Sequence, residues 1–297
     1  MSVPYKDAGF ELKFLGTMNG SSSLHTNAYF YPEKDVLAFI DLSLLNYEKA
    51  SYLITPNLKR VILFLTHLHD DHASGVLSLA FLVREKLGVL LEVMTGSYFT
   101  QGAFQVFYET GGKPIFKNGE LSEVLRIYGQ TFDGRILTRP SLESAFLVEQ
   151  ELILESQQFK VPSWFVKTVP TVHSPRLSGA VGFVFMLNGK AIVYSGDTNT
   201  ADPFFSKAEN YAIETGDEAP LPVPTELYLE AQTGANITMH LSFDKIRSEL
   251  LALMRRAPLL RVALMHYNDY GITHEVTEFN RELGEERLFV ALQESPV

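Results

Sequence analysis

Val61-Ile62-Leu63-Phe64-Leu65-Thr66-His67-Leu68-His69-Asp70-Asp71-His72 is the stretch that decides how the rest of the chain is read. Its first half is an unbroken apolar run, the pattern of a buried strand. Its second half places three imidazoles and two carboxylates within six positions. Along an extended chain residues i and i+2 face the same way, so His67, His69 and Asp71 can converge on one point. His72 is out of that phase and needs a turn to join them. Asp70-Asp71, followed by Ala73-Ser74-Gly75 and the apolar series Val76, Leu77, Leu79 and Ala80, supplies it by ending the strand and opening a helix. A lone His-x-His would be an ordinary strand end, but three of the chain's 8 histidines beside two acids read as a metal site.

Composition narrows the chemistry. The chain has 297 residues, 46% hydrophobic and 20% charged, which suits a soluble globular protein with a sizeable core. No apolar run approaches the ~18 residues that span a bilayer. Met1 to Asp7 lacks the basic and apolar regions of a signal peptide, so a cytoplasmic protein is expected. Cysteine is absent, which excludes disulfides and thiolate ligands together; a metal here must be held by imidazole and carboxylate. The net charge of -10 argues against a broad nucleic-acid surface and leaves room for a small anionic substrate.

Along the chain, Phe10 to Leu15 alternates as a half-buried strand and runs into the polar loop Gly16 to Ser23. His25, at the end of that loop, is expected to be exposed. Asn27 to Tyr31 and Val36 to Ile40 pair as a hairpin, and Asp41 closes the second strand, either as a turn residue or as a partner of the metal-site side chains. A helix over Tyr47 to Leu53 precedes the opening strand; a helix from Ser74 to Leu87 and a strand from Val89 to Met94 follow it. Strands first, then alternating strand and helix, predict a layered α/β architecture in one domain spanning 1–297.

Between about 96 and 158 the pattern loosens. Tyr98 to Tyr108 and Glu120 to Ile127 have helical spacing, with breaks at 109–114 and 132–135, so a partly helical insertion or cap is expected. Regularity returns with strands at Trp164 to Val169, Ala180 to Leu187 and Ala191 to Tyr194, a helix over Pro203 to Ile213, a strand at Glu226 to Ala231, a helix over Phe243 to Arg255 and a strand at Leu260 to Met265. Three of these strands end in further candidate ligands: His173 after Val169-Pro170-Thr171-Val172, Asp197 after Ile192-Val193-Tyr194, and His266 after Val262-Ala263-Leu264-Met265. Strand ends are where sites form in layered α/β proteins, and the recurrence raises each of these above a turn residue.

The order His67-x-His69-x-Asp71-His72, His173, Asp197 in Ser-Gly-Asp-Thr, and His266 resembles the five-part pattern of the metallo-β-lactamase fold hydrolases, with Asp41 in the place of the pattern's first acid. The resemblance covers about residues 10 to 270 and leaves out the 96–158 segment. It implies a four-layer αββα sandwich of two similar halves with the metal site at the edge between the sheets. It also implies that His67, His69 and His173 bind one metal, that Asp71, His72 and His266 bind a second, and that Asp197 bridges them. The donor set suits zinc, with manganese or iron as alternatives, and two such ions ~3.5 to 4 Å apart make hydroxide available at neutral pH.

Phe14-Leu15-Gly16-Thr17 with Ser21-Ser22-Ser23, then Glu230-Ala231-x-Thr233 and His240-Leu241-Ser242, is similar to the tRNase Z and cyclic-nucleotide phosphodiesterase branch of that superfamily. The likeness implies that Asp71 belongs to the catalytic centre, that His240 serves as general acid to the departing oxygen and that Glu230 orients it; read locally, His240 begins a helix and Glu230 ends a strand. In tRNase Z a long tRNA-gripping arm sits between the third and fourth motifs. Here residues 174 to 196 hold only a strand hairpin. The expectation is therefore a dinuclear metal-dependent hydrolase, a phosphodiesterase acting on a small phosphodiester such as a cyclic nucleotide, with no nucleic-acid or membrane partner and with homodimerisation implied by the resemblance. An ester, thioester or lactone hydrolase and a non-catalytic metal-binding sensor are the alternatives.

Overall fold

The computed structural model describes residues 8–20, 24–96, 125–130, 136–138, 161–173, 180–213, 225–234, 239–268 and 271–293. The first half builds β1 (Lys13–Gly16), β2 (Asn27–Glu33), β3 (Val36–Ile40), helix α1 (Tyr47–Leu53), β4 (Arg60–Phe64), a single turn α2 (Asp70–Ala73), α3 (Val76–Leu87), β5 (Leu91–Gly96), β6 (Leu125–Gln130) and β7 (Ile136–Thr138). Those strands form one sheet in sequence order, parallel from β3 to β6 and antiparallel at both ends. The second half builds β8 (Phe165–Pro170), β9 (Val181–Leu187), β10 (Lys190–Tyr194), α4 (Asp202–Ile213), β11 (Thr225–Glu230), α5 (Phe243–Arg256), β12 (Arg261–Met265), α6 (Ile272–Leu283) and β13 (Leu288–Val290). Its sheet runs β13-β12-β11-β10-β9-β8, with β10 to β13 parallel.

Alternation along the strands makes the layers. From β3 and β4, Ala38, Ile40, Ile62 and Phe64 point into one core, and from the other sheet Phe183, Phe185, Tyr194, Tyr228 and Met265 meet them there. Phe64 sits at its centre, with ring centroids 5.3 Å from Phe183 and 4.8 Å from Phe185. The odd residues of β3 and β4, Leu37, Phe39, Val61 and Leu63, face the opposite way onto Ala50, Leu53, Val76, Leu79 and Val83 of α1 and α3. Likewise Val193, Leu227, Leu229, Val262 and Leu264 face Phe204, Leu250, Met254 and Phe279 of the second set of helices. The result is the four-layer αββα sandwich, with apolar strands buried on both faces.

Register then sets the site. Ile40 pairs with Phe64 and Glu230 with Met265, so the parallel strands finish together and their C-terminal residues gather along one edge. Val181 N–H donates to the Thr66 carbonyl across 3.0 Å, joining the two sheets at that edge.

Two sequence expectations change. Residues 125–127, expected as the end of a helix, open β6, whose backbone satisfies the free edge of β5; Leu125 and Ile127 also fit the period of a strand, and the short helical match could not separate the two. The sheet thus reaches into the segment expected to be an insertion, while the helix over 98–108 and the turn at 132–135 lie outside the described residues. The second change is an addition, α6 and β13, which extend the architecture beyond residue 270. Among the described residues no helix is long and apolar enough to cross a membrane.

Candidate metal centre

The end of β4 becomes a ligand-bearing loop because the chain turns directly after it. His69 remains extended, with φ -66° and ψ 153°, and serves as N-cap of α2; Asp70 starts the turn, and His72 swings back to lie beside His67, with ring centroids 4.0 Å apart. The turn that His72 required is present. Asn27, fully buried, holds this loop from behind: its amide donates to the Asp71 carbonyl at 3.1 Å while its oxygen accepts from Ser43 N, Ser43 Oγ and Asn46 Nδ2. Gly20 presses on the loop from the front. A Cβ there would stand 2.7 Å from Asp71 Oδ2, so only glycine lets the β1–β2 connection lie against that carboxylate.

The later ligands come from the other sheet. Asp197 follows Gly196, whose φ of +60° and close approach to Thr66 seat the end of β10 against the end of β4. His266 itself adopts φ +56°, as Asp41 does at the end of β3. Two buried non-glycine residues in the left-handed region mark backbone conformations that cost about 1–3 kcal/mol each and survive where their surroundings fix them.

Four imidazoles spend Nδ1 on an oxygen and turn Nε2 inward. His67 Nδ1 donates to Thr66 Oγ1 at 3.0 Å, His72 Nδ1 to Asp41 Oδ2 at 2.7 Å, His173 Nδ1 to the Met239 carbonyl at 3.0 Å and His266 Nδ1 to Glu230 Oε1 at 3.2 Å. His69 presents Nδ1 instead, 3.0 Å from His67 Nε2 and 3.2 Å from His173 Nε2. A second trio forms beside the first, with His72 Nε2 at 3.3 Å and His266 Nε2 at 3.4 Å from Asp71 Oδ2. One atom reaches both: Asp197 Oδ2 lies 3.8 Å from His67 Nε2 and His173 Nε2, 3.5 Å from His72 Nε2 and 3.4 Å from His266 Nε2.

This arrangement fits divalent cations. The sets His67–His69–His173, Asp71–His72–His266 and His67–His72–Asp197 each bring three ligand atoms within 4.8 Å. Among the described residues His72 Nε2 is buried with no hydrogen-bond partner, although Asp71 Oδ2 and Asp197 Oδ2 stand 3.3 and 3.5 Å away. The electrostatics state the same need. Burial, followed by the neighbouring His72, holds His67 well below the usual imidazole range, and burial lowers His69 and His173 as well. On the other side, burial opposes ionisation of His72, but the carboxylates of Asp197, Asp41 and Asp71 outweigh it and raise it well above normal; burial and Asp197 compete in the same way at His266, which is pushed up to about 10. Burial would likewise raise Asp71 and Asp197, yet the imidazoles of His72 and His266 drive both well below the carboxylate range. Protons on His72 and His266 supply the counter-charge that two buried carboxylates require, and a cation supplies it equally well.

The remaining candidates fall into place. Asp41 is fully buried, accepts from Thr66 N and Thr66 Oγ1 at 2.7 Å each, and supports His72; it is the carboxylate behind a histidine and not merely a turn. Burial pushes its carboxyl up, with His72 and the Thr66 donors opposing. Glu230, fully buried, contacts His240 Nδ1 through Oε1 and Thr198 N through Oε2. His240 Nδ1 stands 3.7 Å from Asp197 Oδ2, and among the described residues its Nε2 has no hydrogen bond. His25 is not the exposed residue expected: it is half-buried, its Nδ1 is buried without a partner among the described residues, and burial lowers its pKa, with Asp71 opposing. The strands pull it in, since Met18 bridges to His25 and Asn46 Nδ2 donates to its carbonyl at 2.8 Å. Thr66, Asn27, Gly20 and the Met239 carbonyl do not stand out in the sequence. Thr66 borders the motif, and that neighbourhood is a signal; the others act through contacts 44 or more residues apart, as Asn27 does on Asp71, or through backbone atoms.

No family model and no curated protein sequence matches the chain. Solved structures do. The metallo-β-lactamase fold protein YhfI from Bacillus subtilis superposes with a TM-score of 0.60 at 15% identity over 96% of this chain and 97% of that one. A diphosphatase from the PhnP family gives 0.55 at 15% identity over 95% and 94%. Human tRNase Z, short form, gives 0.52 at 15% identity over 97% and 100%. Likeness along nearly the whole length of each partner, at identities this low, is a likeness of architecture, and together with the layers and strand orders above it establishes that this chain has the metallo-β-lactamase fold.

Proposed function

We propose that the chain is a dinuclear metal-dependent hydrolase of the tRNase Z and cyclic-nucleotide phosphodiesterase type, acting on a small phosphodiester. The observation that carries this reading is the placement of His240: it stands beside the atom shared by both ligand trios, Asp197 Oδ2, with a buried carboxylate on its Nδ1 and an open Nε2. Its side chain is 19% exposed and that of Glu230 0%, so the imidazole reaches solvent while its support does not. Burial would lower the His240 pKa, but Glu230 outweighs it and raises the group, which favours the protonated form. That is the state a general acid needs.

In this reading His67, His69 and His173 would hold one cation and Asp71, His72 and His266 the other, with Asp197 within reach of both sets. Imidazole and carboxylate donors without thiolate favour zinc, with manganese or iron as alternatives. When bound, the ions supply a hydroxide nucleophile at neutral pH and counter-charge for the phosphoryl oxygens. The chain's own contribution is the proton. As the ester P–O bond breaks, its electron pair goes to the departing oxygen and His240 Nε2 delivers a proton there, giving a phosphomonoester and an alcohol; Glu230 keeps Nδ1 protonated and the ring aimed. The relatedness of fold to a diphosphatase and to a tRNase Z supports phosphorus chemistry, and the hairpin occupying 180–194 in place of an arm supports a small substrate.

Turnover of diesters by zinc- and manganese-loaded protein tests this. A p-nitrophenolate leaves without protonation, whereas an alkoxide does not. His240→Ala should therefore lower kcat on alkyl-leaving diesters by about 10²- to 10⁴-fold and spare bis(p-nitrophenyl) phosphate, with metal content unchanged. Activity confined to thioesters or lactones, or none on any ester with both metals bound, refutes the proposal.

A further inference from the structure

His240 also lines a cavity of about 480 Å³, within the size range of small-molecule sites. It opens between the segment joining β10 to α4 and the first turns of α5. Its floor is apolar, from Ala201, Leu241 and Ile246, all buried; its walls are polar, from Asn199 and Thr200 on one side and α5 on the other. Three charged residues complete it: Asp202, Glu249 and Lys245. His240 is the residue that both this cavity and the ligand cluster share.

That sharing constrains what goes where. The Nδ1 edge of His240 is held by Glu230 and faces Asp197, and its ring stands 4.9 Å from that of His173 and 5.1 Å from that of His266, centroid to centroid. An oxygen that takes a proton from Nε2 therefore carries the rest of its molecule away from the trios, into the space that His240 lines. An apolar floor with hydroxyl and amide walls suits a carbon skeleton edged with hydroxyls. Two carboxylates stand against one ammonium and the acid His240, so the lining carries no excess of either sign and suits a leaving group without a further phosphate.

We infer that this cavity receives the departing alcohol and selects an uncharged, hydroxyl-bearing one of the nucleoside or polyol class. The inference rests on the phosphodiesterase reading for the identity of the bond broken, and on the cavity alone for the class of alcohol. Asn199 and Thr200 are assigned as specificity-determining residues.

The test is titration of adenosine into zinc-loaded protein carrying labelled isoleucine and threonine methyl groups, followed by NMR, with turnover of bis(p-nitrophenyl) phosphate measured on the same sample. Saturable shifts at Ile246 and Thr200 are expected. Asn199→Trp and, from the opposite wall, Glu249→Trp should each raise the adenosine Kd at least tenfold; both positions are exposed, so the fold tolerates either change. Diester turnover without shifts at those two methyls overturns the cavity assignment and leaves the phosphodiesterase reading standing. Shifts that neither tryptophan weakens also overturn it. Adenosine binding that both tryptophans weaken, without diester turnover, keeps the polyol site and overturns the phosphodiesterase reading.

Discussion

Replacing Asp41 by Asn isolates the role of one hydrogen-bond acceptor behind the site. Asn tolerates the left-handed backbone as well as Asp does, so the φ of +56° adds no new strain. The side-chain shape is kept as well. What changes is that one acceptor becomes a donor, and every group facing this carboxylate is itself a donor: Thr66 N at Oδ1, Thr66 Oγ1 and His72 Nδ1 at Oδ2. With the amide nitrogen at Oδ2, the Thr66 hydroxyl can rotate and accept, but His72 must give up its Nδ1 hydrogen and carry it on Nε2, the atom that faces Asp71 and Asp197. With the nitrogen at Oδ1, the buried Thr66 N–H loses its acceptor, a cost of about 1–3 kcal/mol. Loss of such a supporting contact weakens metal affinity by about 10- to 100-fold, or roughly 1.4 to 2.7 kcal/mol. The weakening should fall on the Asp71–His72–His266 trio and largely spare His67–His69–His173. Competition titration of zinc against a chromophoric chelator resolves the two steps. Equal weakening of both, or of neither, in a folded Asp41→Asn protein refutes the argument.

Other perturbations separate the remaining supports. Asn27→Leu removes the acceptor of Ser43 N, Ser43 Oγ and Asn46 Nδ2 and the donor to the Asp71 carbonyl; chemical denaturation should show a loss of about 3 kcal/mol or more, and a change within about 0.5 kcal/mol, the usual size for a surface substitution, sinks the clamp. Gly20→Ala places a methyl 2.7 Å from Asp71 Oδ2, so zinc at the Asp71 trio should bind about tenfold more weakly while the melting temperature barely moves; wild-type affinity would show that the loop simply steps back. The pH dependence comes from the raised groups: His72 and His266, the latter with a pKa near 10, hold protons at neutral pH that a metal must displace. Zinc uptake by apo-protein should release protons, and apparent affinity should rise with pH until His266 is neutral. Calorimetry in buffers of different ionisation enthalpy measures this directly, and an affinity flat from about pH 6 to 9, a window bracketing the ordinary imidazole pKa, contradicts it.

Much of the site is legible in the sequence because its chemistry sits next to strong secondary-structure signals. Val61 to Leu65 reads as a buried strand, and the strand period sets His67 and His69 to one side before any fold is known; Asp71, expected to join them by the same period, instead lies in the α2 turn and faces His72 and His266. The apolar strands before His173, Asp197 and His266 work in the same way. The illegible part depends on long-range geometry. Asn27 is one asparagine among many until β2 lies beside the Asp71 loop, and Gly20 looks like any loop glycine until the carboxylate arrives against it. The polar loop around His25 points to exposure, and tertiary pairing with Met18 pulls the residue inward. The strand at 125–127, where a helix end was expected, has another cause. A short apolar series fits both a helix and a strand, and the unpaired edge of β5 decides between them.

Glu230 ties two parts of the centre into one equilibrium. A single oxygen, Oε1, receives both His266 Nδ1 and His240 Nδ1, so the two imidazoles compete for the same negative charge. A cation held by His266 would polarise that ring and strengthen its N–H as a donor to Glu230, which would loosen the carboxylate's hold on the proton of His240 and make His240 the stronger acid. Thermodynamic reciprocity requires the converse: protonating His240 weakens the cation's grip by the same free energy. On the proposed function, filling the centre would therefore sharpen His240 as an acid, and emptying it would blunt that acid.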